Sequence, residues 1–248
     1  MQQLLSLLEE SKHCVVFTGA GVSTLSGIRD FRGAGGFYSE DYKGMAVEDI
    51  LSLHYFHKDP AIFYRWAREF LYNLEDFEPS IVHTVLALME QRGIVKGVYT
   101  QNIDLLHQKG GSQKIYEIHG SPERHFCLSC HHAMGYAEVV PFVKRGEVPH
   151  CPLCQGVMKP DIVFYGEGLK SALLDQAYKE MEESDLVLVL GSSLTVQPAA
   201  SLPMVSFSNG GKIVIVNKQA TPLDSYATLR YWDLLELFSN LEDYFSRQ

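Results

Sequence analysis

Four cysteines, Cys127, Cys130, Cys151 and Cys154, stand in a C-x2-C-x20-C-x2-C pattern, and no other feature of the chain restricts its fold as much. Each C-x-x-C turn can present two thiolates to one point, and a tetrahedral Zn²⁺ takes four. In a cytosolic protein, that spacing points to a metal before disulfides. With cysteine at all four positions the site is closed to water and substrate, so its zinc is expected to be structural. His131, His132 and His150 flank the knuckles, but histidines in such places are more often surface residues than ligands. The fifth cysteine, Cys14, lies alone in an apolar stretch and reads as a packing residue.

Around the cysteines, apolar runs alternate with amphipathic segments. Strands are expected at 13–18, 94–100, 114–118, 162–164, 185–190 and 212–217. Several are continuous apolar runs without alternation, as strands of a parallel sheet covered on both faces require. Residues 81–91, 170–183 and 232–246 carry helical periodicity between and after them. The fold expected is α/β: a Rossmann-like, doubly wound parallel sheet with a smaller lobe. Residues 1–36, 74–120 and 160–248 would form the sheet domain. A helical insertion at 37–73 and a zinc ribbon at 121–159 would form the small one. Phe63, Tyr64, Trp66 and Phe70 recur at helical spacing and suit packing between lobes better than a binding box.

Bulk properties exclude several function classes. The net charge of −9 opposes direct nucleic-acid binding, which needs clustered Lys and Arg. No apolar run is longer than Leu186–Leu190, which is far short of the ~20 residues a bilayer span needs. The opening Met1-Gln2-Gln3-Leu4-Leu5 has neither a basic region nor a small-residue cleavage site, so a cytoplasmic location is expected.

Polar residues gather where strands end. Gly19-Ala20-Gly21-Val22-Ser23 follows the first strand directly. Glycines there would let the backbone approach a pyrophosphate, though a tight structural turn would use them equally. Thr24 occupies the position where the G-x-G-x-x-G dinucleotide fingerprint needs glycine, which disfavours an ordinary hydride-transfer dehydrogenase. Further along come Asp30-Phe31-Arg32, Thr100-Gln101-Asn102-Ile103-Asp104, His119-Gly120, Gly191-Ser192-Ser193 and Asn217. Most of them lie just past the carboxyl ends of strands, where open α/β sheets bind ligands.

Taken in order, these segments, with Leu106-His107, the cysteine set, Phe164-Tyr165-Gly166-Glu167 and Val216-Asn217, strongly resemble the sirtuins, a family of NAD-dependent protein deacylases. The resemblance implies NAD as cofactor, one structural Zn²⁺, and acyl-lysine proteins or peptides as substrates. It implies that Gly19, Ala20, Gly21, Gly191, Ser192 and Ser193 hold the cofactor phosphates, and that Asp30 belongs to the same site. Arg32 would reach the diphosphate or ribose, Asn217 the adenine ribose, and Gln101 the nicotinamide ribose. Asn102, Ile103 and Asp104 would line the nicotinamide pocket, Phe31 would cover the site, and His119 would be the general base. An extended peptide would add as a strand between Val163, Phe164, Tyr165, Gly166 and Glu167 on one side and Thr195 and Val196 on the other.

The activity so implied is transfer of an acyl group from lysine to ADP-ribose with release of nicotinamide. A mono-ADP-ribosyltransferase using the same NAD site is the alternative. A non-enzymatic module docking through its ribbon would be betrayed by loss of Asn102, Asp104 or His119, and all three are present. His83 and His107, in helix-like segments, read as local hydrogen-bonding residues, and Asp41, Glu48 and Asp49 as a solvated face.

The chain also departs from the family pattern. Arg29 replaces a usual proline, which frees φ and restores an N–H. Tyr165 replaces a usual phenylalanine. Members that remove succinyl or malonyl groups carry a tyrosine and, three residues on, an arginine; here Tyr64 is followed by Ala67, and Arg68 is one position off. Acetyl is therefore expected to be preferred over succinyl.

Overall fold

Cys14-Val15-Val16-Phe17-Thr18 is buried along its whole length, as a strand covered on both faces must be. The computed structural model, which describes residues 1–33 and 35–247, makes this run β1 (Cys14–Thr18). There follow β2 (Val95–Thr100), β3 (Ile115–Glu117), β4 (Gly120–Cys127), β5 (Ala133–Gly135), β6 (Met158–Ile162), β7 (Leu186–Leu190), β8 (Lys212–Val216) and β9 (Leu229–Tyr231). The chain divides into two compact units. One comprises Met1–Asp30, Glu78–Ile118 and Lys170–Gln248; the other comprises Phe31–Phe77 and His119–Leu169.

In the first unit, six strands pair in the order β3-β2-β1-β7-β8-β9, every pair parallel. Successive side chains of a strand face opposite ways. Cys14, Val16, Val98, Leu186, Leu188, Leu190, Val214 and Val216 therefore share one face, where they pack with Leu4, Leu8, Val82, Val85, Leu86, Met89, Leu237, Phe238, Leu241 and Phe245. Those partners come from the helices Gln2–Glu10, Ile81–Gln91 and Leu234–Ser246. The alternate residues Val15, Phe17, Val187, Val189, Ile213 and Ile215 are also buried. Helix Leu202–Ser208 lies against β7 and β8 and packs on helix Ser171–Glu183. The sheet is thus wound on both faces, as its apolar strands require. Cys14 is a fully buried packing residue, and burial with nearby Asp185 pushes its thiol far above the ordinary range.

In the second unit, β4 pairs antiparallel with both β5 and β6, in the order β5-β4-β6. The strand expected at 162–164 lies instead at Met158–Ile162 and belongs to this small sheet. The third segment of the first unit begins at Lys170. The helices Leu53–Lys58 and Pro60–Phe70 supply an aromatic core: Phe56, Phe63, Tyr64 and Trp66 are buried, and Phe56 and Phe63 meet Phe164 with ring centroids 5.2 and 5.0 Å away. The aromatic stripe read from sequence packs within this unit.

Candidate functional site

The ends of four parallel strands stand level. Thr18 is in register with Thr100 and Leu190, and Leu190 with Val216, so the next residues, Gly19, Gln101, Gly191 and Asn217, form one row. The strand order reverses between β1 and β7, the place where open α/β sheets bind ligands. There the Gly19–Gly21 turn sits on the backbone after β7: Gly19 N–H donates to Leu190 O (3.0 Å) and Gly21 N–H to Gly191 O (2.8 Å). A Cβ at Gly21 would lie 2.7 Å from Gly191 Cα, and Gly191 itself has φ +60°, so side chains are excluded from both partners. The glycines thus have a packing reason as well as the functional one implied by resemblance.

After β2 the chain forms a locked polar loop. Asn102 N–H donates to Thr100 Oγ1 (3.0 Å), while Asn102 Nδ2 donates to Gly19 O and Ser23 Oγ, both at 3.1 Å. Ser23 Oγ donates in turn to Asp104 Oδ2 at 2.6 Å, and Leu106 N–H to Asp104 Oδ1 at 3.0 Å. Burial raises the Asp104 pKa above the ordinary carboxylate value, and the bonds from Ser23 and Leu106 oppose that rise. Gln101 Nε2 donates to Ser192 Oγ (2.8 Å), which ties this loop to the end of β7. Ser193 Oγ pairs with Thr195 Oγ1 (2.9 Å), Val196 O accepts from Ala200 N–H (2.9 Å), and Asn217 Nδ2 donates to Gln219 O (3.0 Å). Ile103 lies within the loop, and Asp30 follows the short helix Gly21–Thr24 by six residues.

Ser23 is the residue that sequence reasoning quoted but did not assign: it joins Asn102 to Asp104, and nothing in a lone serine announces that role. Beneath the loop, Thr18 Oγ1 donates to Thr100 Oγ1 (2.8 Å) and pairs with His107 Nε2 (3.0 Å). The His107 ring meets the His83 ring edge-on at 4.7 Å. His83 closes a capping box with Ser80, whose N–H it accepts at 3.0 Å. Burial holds both imidazoles neutral, His83 down at about 4 and His107 at about 3.

His119 opens the second segment of the second unit, two residues past β3. Its carbonyl accepts from Val163 N–H (2.8 Å), and Gly120 beside it has φ +77°. A Cβ on Gly120 would lie 1.9 Å from Asp161 O, so glycine is required for β4 to pair with β6 behind the histidine. In the stretch beginning at Val163, Phe164 N–H donates to Glu167 Oε2 (2.7 Å), and Lys159 Nζ meets the same oxygen at 2.9 Å. Tyr165 N–H donates to Leu51 O (2.8 Å) and Tyr165 O accepts from Leu53 N–H (2.9 Å). Arg32 Nη2 donates to Tyr165 OH (3.0 Å), which also shares a hydrogen bond with Tyr38 OH (2.8 Å). Phe31 packs on Phe37 and Tyr38, with centroids 5.4 and 5.3 Å apart.

The four knuckle cysteines converge, their sulfurs all within 4.8 Å of one another. The two turns repeat one geometry: His131 N–H donates to Cys127 O (3.0 Å) and Gln155 N–H to Cys151 O (2.9 Å), with φ +59° at His131 and +62° at Gln155. A tetrahedron with Zn–S bonds of about 2.3 Å has edges of about 3.8 Å, so Sγ–Sγ separations of 3.3, 3.5 and 3.6 Å suit that ion. The N–H groups of Cys130 and Ser129 hold the Cys127 thiol down at about 6, favouring the thiolate. His150 is engaged elsewhere, its Nδ1 2.9 Å from Gln155 O.

Comparison with known proteins agrees with this geometry. A model of the Sir2 family matches residues 19–198. The NAD-dependent protein deacetylase of Thermotoga maritima is 41% identical over 231 residues, covering 93% of this chain and 92% of that protein. NAD-dependent protein deacylase 2 of Archaeoglobus fulgidus is 40% identical over 225 residues, covering 90% of this chain and 87% of that one. A solved structure of Sir2 with a p53 peptide and NAD+ superposes with a TM-score of 0.91 at 38% identity, covering 100% of this chain and 99% of that chain. A cysteine ribbon of zinc geometry, a parallel sheet with its polar row at the switch point, and close relatives spanning nearly the whole length lead to one conclusion: the chain belongs to the Sir2 family.

Proposed function

We propose that this chain is an NAD-dependent protein-lysine deacetylase, which moves an acyl group from lysine to ADP-ribose and releases nicotinamide. The observation that carries the reading is the Asn102–Ser23–Asp104 chain, which fixes an amide and a carboxylate at the strand ends. The names of the relatives support it, as does a solved Sir2 structure holding 2'-O-acetyl-ADP-ribose and a deacetylated p53 peptide.

The first unit is the NAD-binding domain of this reading. Its side-chain-free crossing of Gly19–Gly21 with Gly191 suits close approach by a dinucleotide diphosphate, with Ala20, Ser192 and Ser193 beside it. Bound NAD supplies an anomeric carbon that accepts the acyl oxygen as nicotinamide departs. Asp104 and the backbone of Ile103 hold the nicotinamide carboxamide, and Asn102 lines that pocket. Gln101 and Asn217 bind the two riboses, Arg32 the diphosphate, and Asp30 belongs to the same loop. Phe31 shields the ribose from water. His119 takes a proton from a ribose hydroxyl, a task suited to an imidazole near neutral pH. The zinc, held by Cys127, Cys130, Cys151 and Cys154, keeps the small sheet folded and takes no part in chemistry.

The substrate is an acyl-lysine peptide. The peptide adds as a strand along Val163, Phe164, Tyr165, Gly166 and Glu167 on one side and Thr195 and Val196 on the other; the N–H groups of Val163, Phe164, Tyr165 and Glu167 are engaged within their own unit, so other backbone groups of these stretches hold the peptide. Acetyl is the preferred acyl group. Tyr64 is buried with its hydroxyl donating to Met158 O (2.6 Å), Ala67 is fully buried, and Arg68 is on the exposed side of its helix, so the tyrosine–arginine pair of desuccinylating relatives has no counterpart. A cytoplasmic setting belongs to the same reading, supported by cysteines grouped as thiolate ligands. No helix among the described residues is long and apolar enough to cross a membrane.

The test is His119→Ala beside the unaltered protein, with an acetyl-lysine peptide and NAD. The unaltered protein is expected to release nicotinamide only when peptide is present, and the variant to lose at least about a hundredfold in rate, the reach of a general base. Undiminished deacetylation by the variant would sink the mechanism. Labelled ADP-ribose retained on protein would favour a mono-ADP-ribosyltransferase.

A further inference from the structure

Residues 31–38 carry two of the proposed cofactor contacts, Phe31 and Arg32, on a segment with glycine at 33, 35 and 36. Glycine widens the conformations available to free chain, so such a segment loses much entropy when it orders on a ligand. Something outside it must hold it if NAD is to meet an ordered Arg32.

Tyr165 supplies that hold. Its backbone is bonded in both directions, to Leu51 O and from Leu53 N–H, so the ring stands on a fixed post. Its hydroxyl accepts from Arg32 Nη2 at 3.0 Å and shares a proton with Tyr38 OH at 2.8 Å. The Arg32 guanidinium also lies 4.8 Å from the centroid of the Tyr38 ring. Tyr38 N–H donates to Phe31 O (3.0 Å), closing the segment on itself. Both ends of 31–38 thus meet at one phenolic oxygen. Phenylalanine, the usual residue at this position in the family, has no atom that could make either bond.

We propose that Tyr165 is a positioning residue, whose hydroxyl ties the cofactor segment 31–38 to the acyl-peptide rail and orders Arg32 before NAD binds. This rests on the reading of Arg32 as a diphosphate contact. The coupling makes the substrate side of the site a determinant of NAD affinity.

The experiment is titration of NAD by calorimetry on the full-length zinc-loaded protein, alongside steady-state kinetics with an acetyl-lysine peptide. Tyr165→Phe is expected to raise both the Kd and the KM for NAD by roughly five- to tenfold, the size of one half-exposed charge-assisted hydrogen bond. The effect on the KM for peptide should be smaller than that on NAD. Tyr38→Phe should weaken NAD less, and the double variant should be no worse than Tyr165→Phe alone, because both act through one oxygen. Unchanged NAD affinity in Tyr165→Phe, a loss confined to kcat or peptide KM, or fully additive effects would each overturn the proposal. NAD titration needs no turnover. A protein that binds NAD with this dependence yet leaves acetyl-lysine intact would refute the deacetylase reading and support this one.

Discussion

Removing a single hydroxyl from Ser23 offers the sharpest test of how the polar loop works. Ser23 is 1% exposed, donates to the half-buried Asp104 carboxylate at 2.6 Å and accepts from Asn102 at 3.1 Å. Ser23→Ala deletes the donor. A hydrogen bond to a charged group is worth about 1.5–3 kcal/mol, so a central value of about 2 kcal/mol corresponds to a loss of roughly thirtyfold in kcat/KM for NAD. The charge effect has a definite sign. Burial already raises the Asp104 pKa, and the Ser23 bond lowers it; without that bond the carboxylate protonates at higher pH. Ionised Asp104 is the form that accepts from a carboxamide N–H, so the acidic limb of the kcat/KM profile moves to higher pH in the variant. The assay varies NAD at fixed acetyl-lysine peptide across the pH range, with thermal unfolding as a check on folding. A kcat/KM within twofold of the parent and an unmoved acidic limb would refute the reasoning.

Three further outcomes are expected. Gly120→Ala, whose new Cβ would lie 1.9 Å from Asp161 O, should push His119 out of place and lower kcat by about a hundredfold, with a smaller effect on NAD affinity in direct titration. Chelation, or Cys151→Ser, should release the zinc and unfold the small antiparallel sheet, since a structural zinc contributes about 10–16 kcal/mol to the fold that holds it; metal analysis with circular dichroism reads both. Phe238→Ala, in the sheet core at 0% exposure, should cost about 3–5 kcal/mol and lower the melting temperature by about 10 °C, while the Kd for NAD changes less than twofold.

Much of this molecule can be read from patterns only a few residues long. The apolar run Cys14-Val15-Val16-Phe17-Thr18 announces a strand buried on both sides, and the cysteine spacing announces a metal ribbon, because both signals are local and chemically demanding. Asn102 and Asp104 stand out for the same reason, two polar groups immediately beyond a strand end. Where the signal is shared between distant segments, it is hidden. Met158-Lys159-Pro160-Asp161-Ile162 lacks an apolar run, and its strand exists because β4 pairs with it. The three-residue β9 carries Arg230 between Leu229 and Tyr231 and owes its place to β8. Tyr165 meets an arginine 133 positions away, a partnership with no sequence spacing to betray it. Ser23 likewise acts on a carboxylate 81 positions off.

The paired imidazoles beneath the polar loop also set a proton inventory for the fold. His83 and His107 stay unprotonated down to about 4 and about 3, whereas free histidine takes up its proton near 6.5. Between those limits the unfolded chain binds two protons that the native chain refuses, so stability is full above pH 6.5 and falls as the medium acidifies. Two such protons make the slope about 2.7 kcal/mol per pH unit once unfolded histidines are fully charged. A fold of ordinary stability, about 5–15 kcal/mol, tolerates only a few units of that slope. These core histidines of the first unit, directly behind the residues proposed to hold the cofactor, therefore add to its loss of stability in acid.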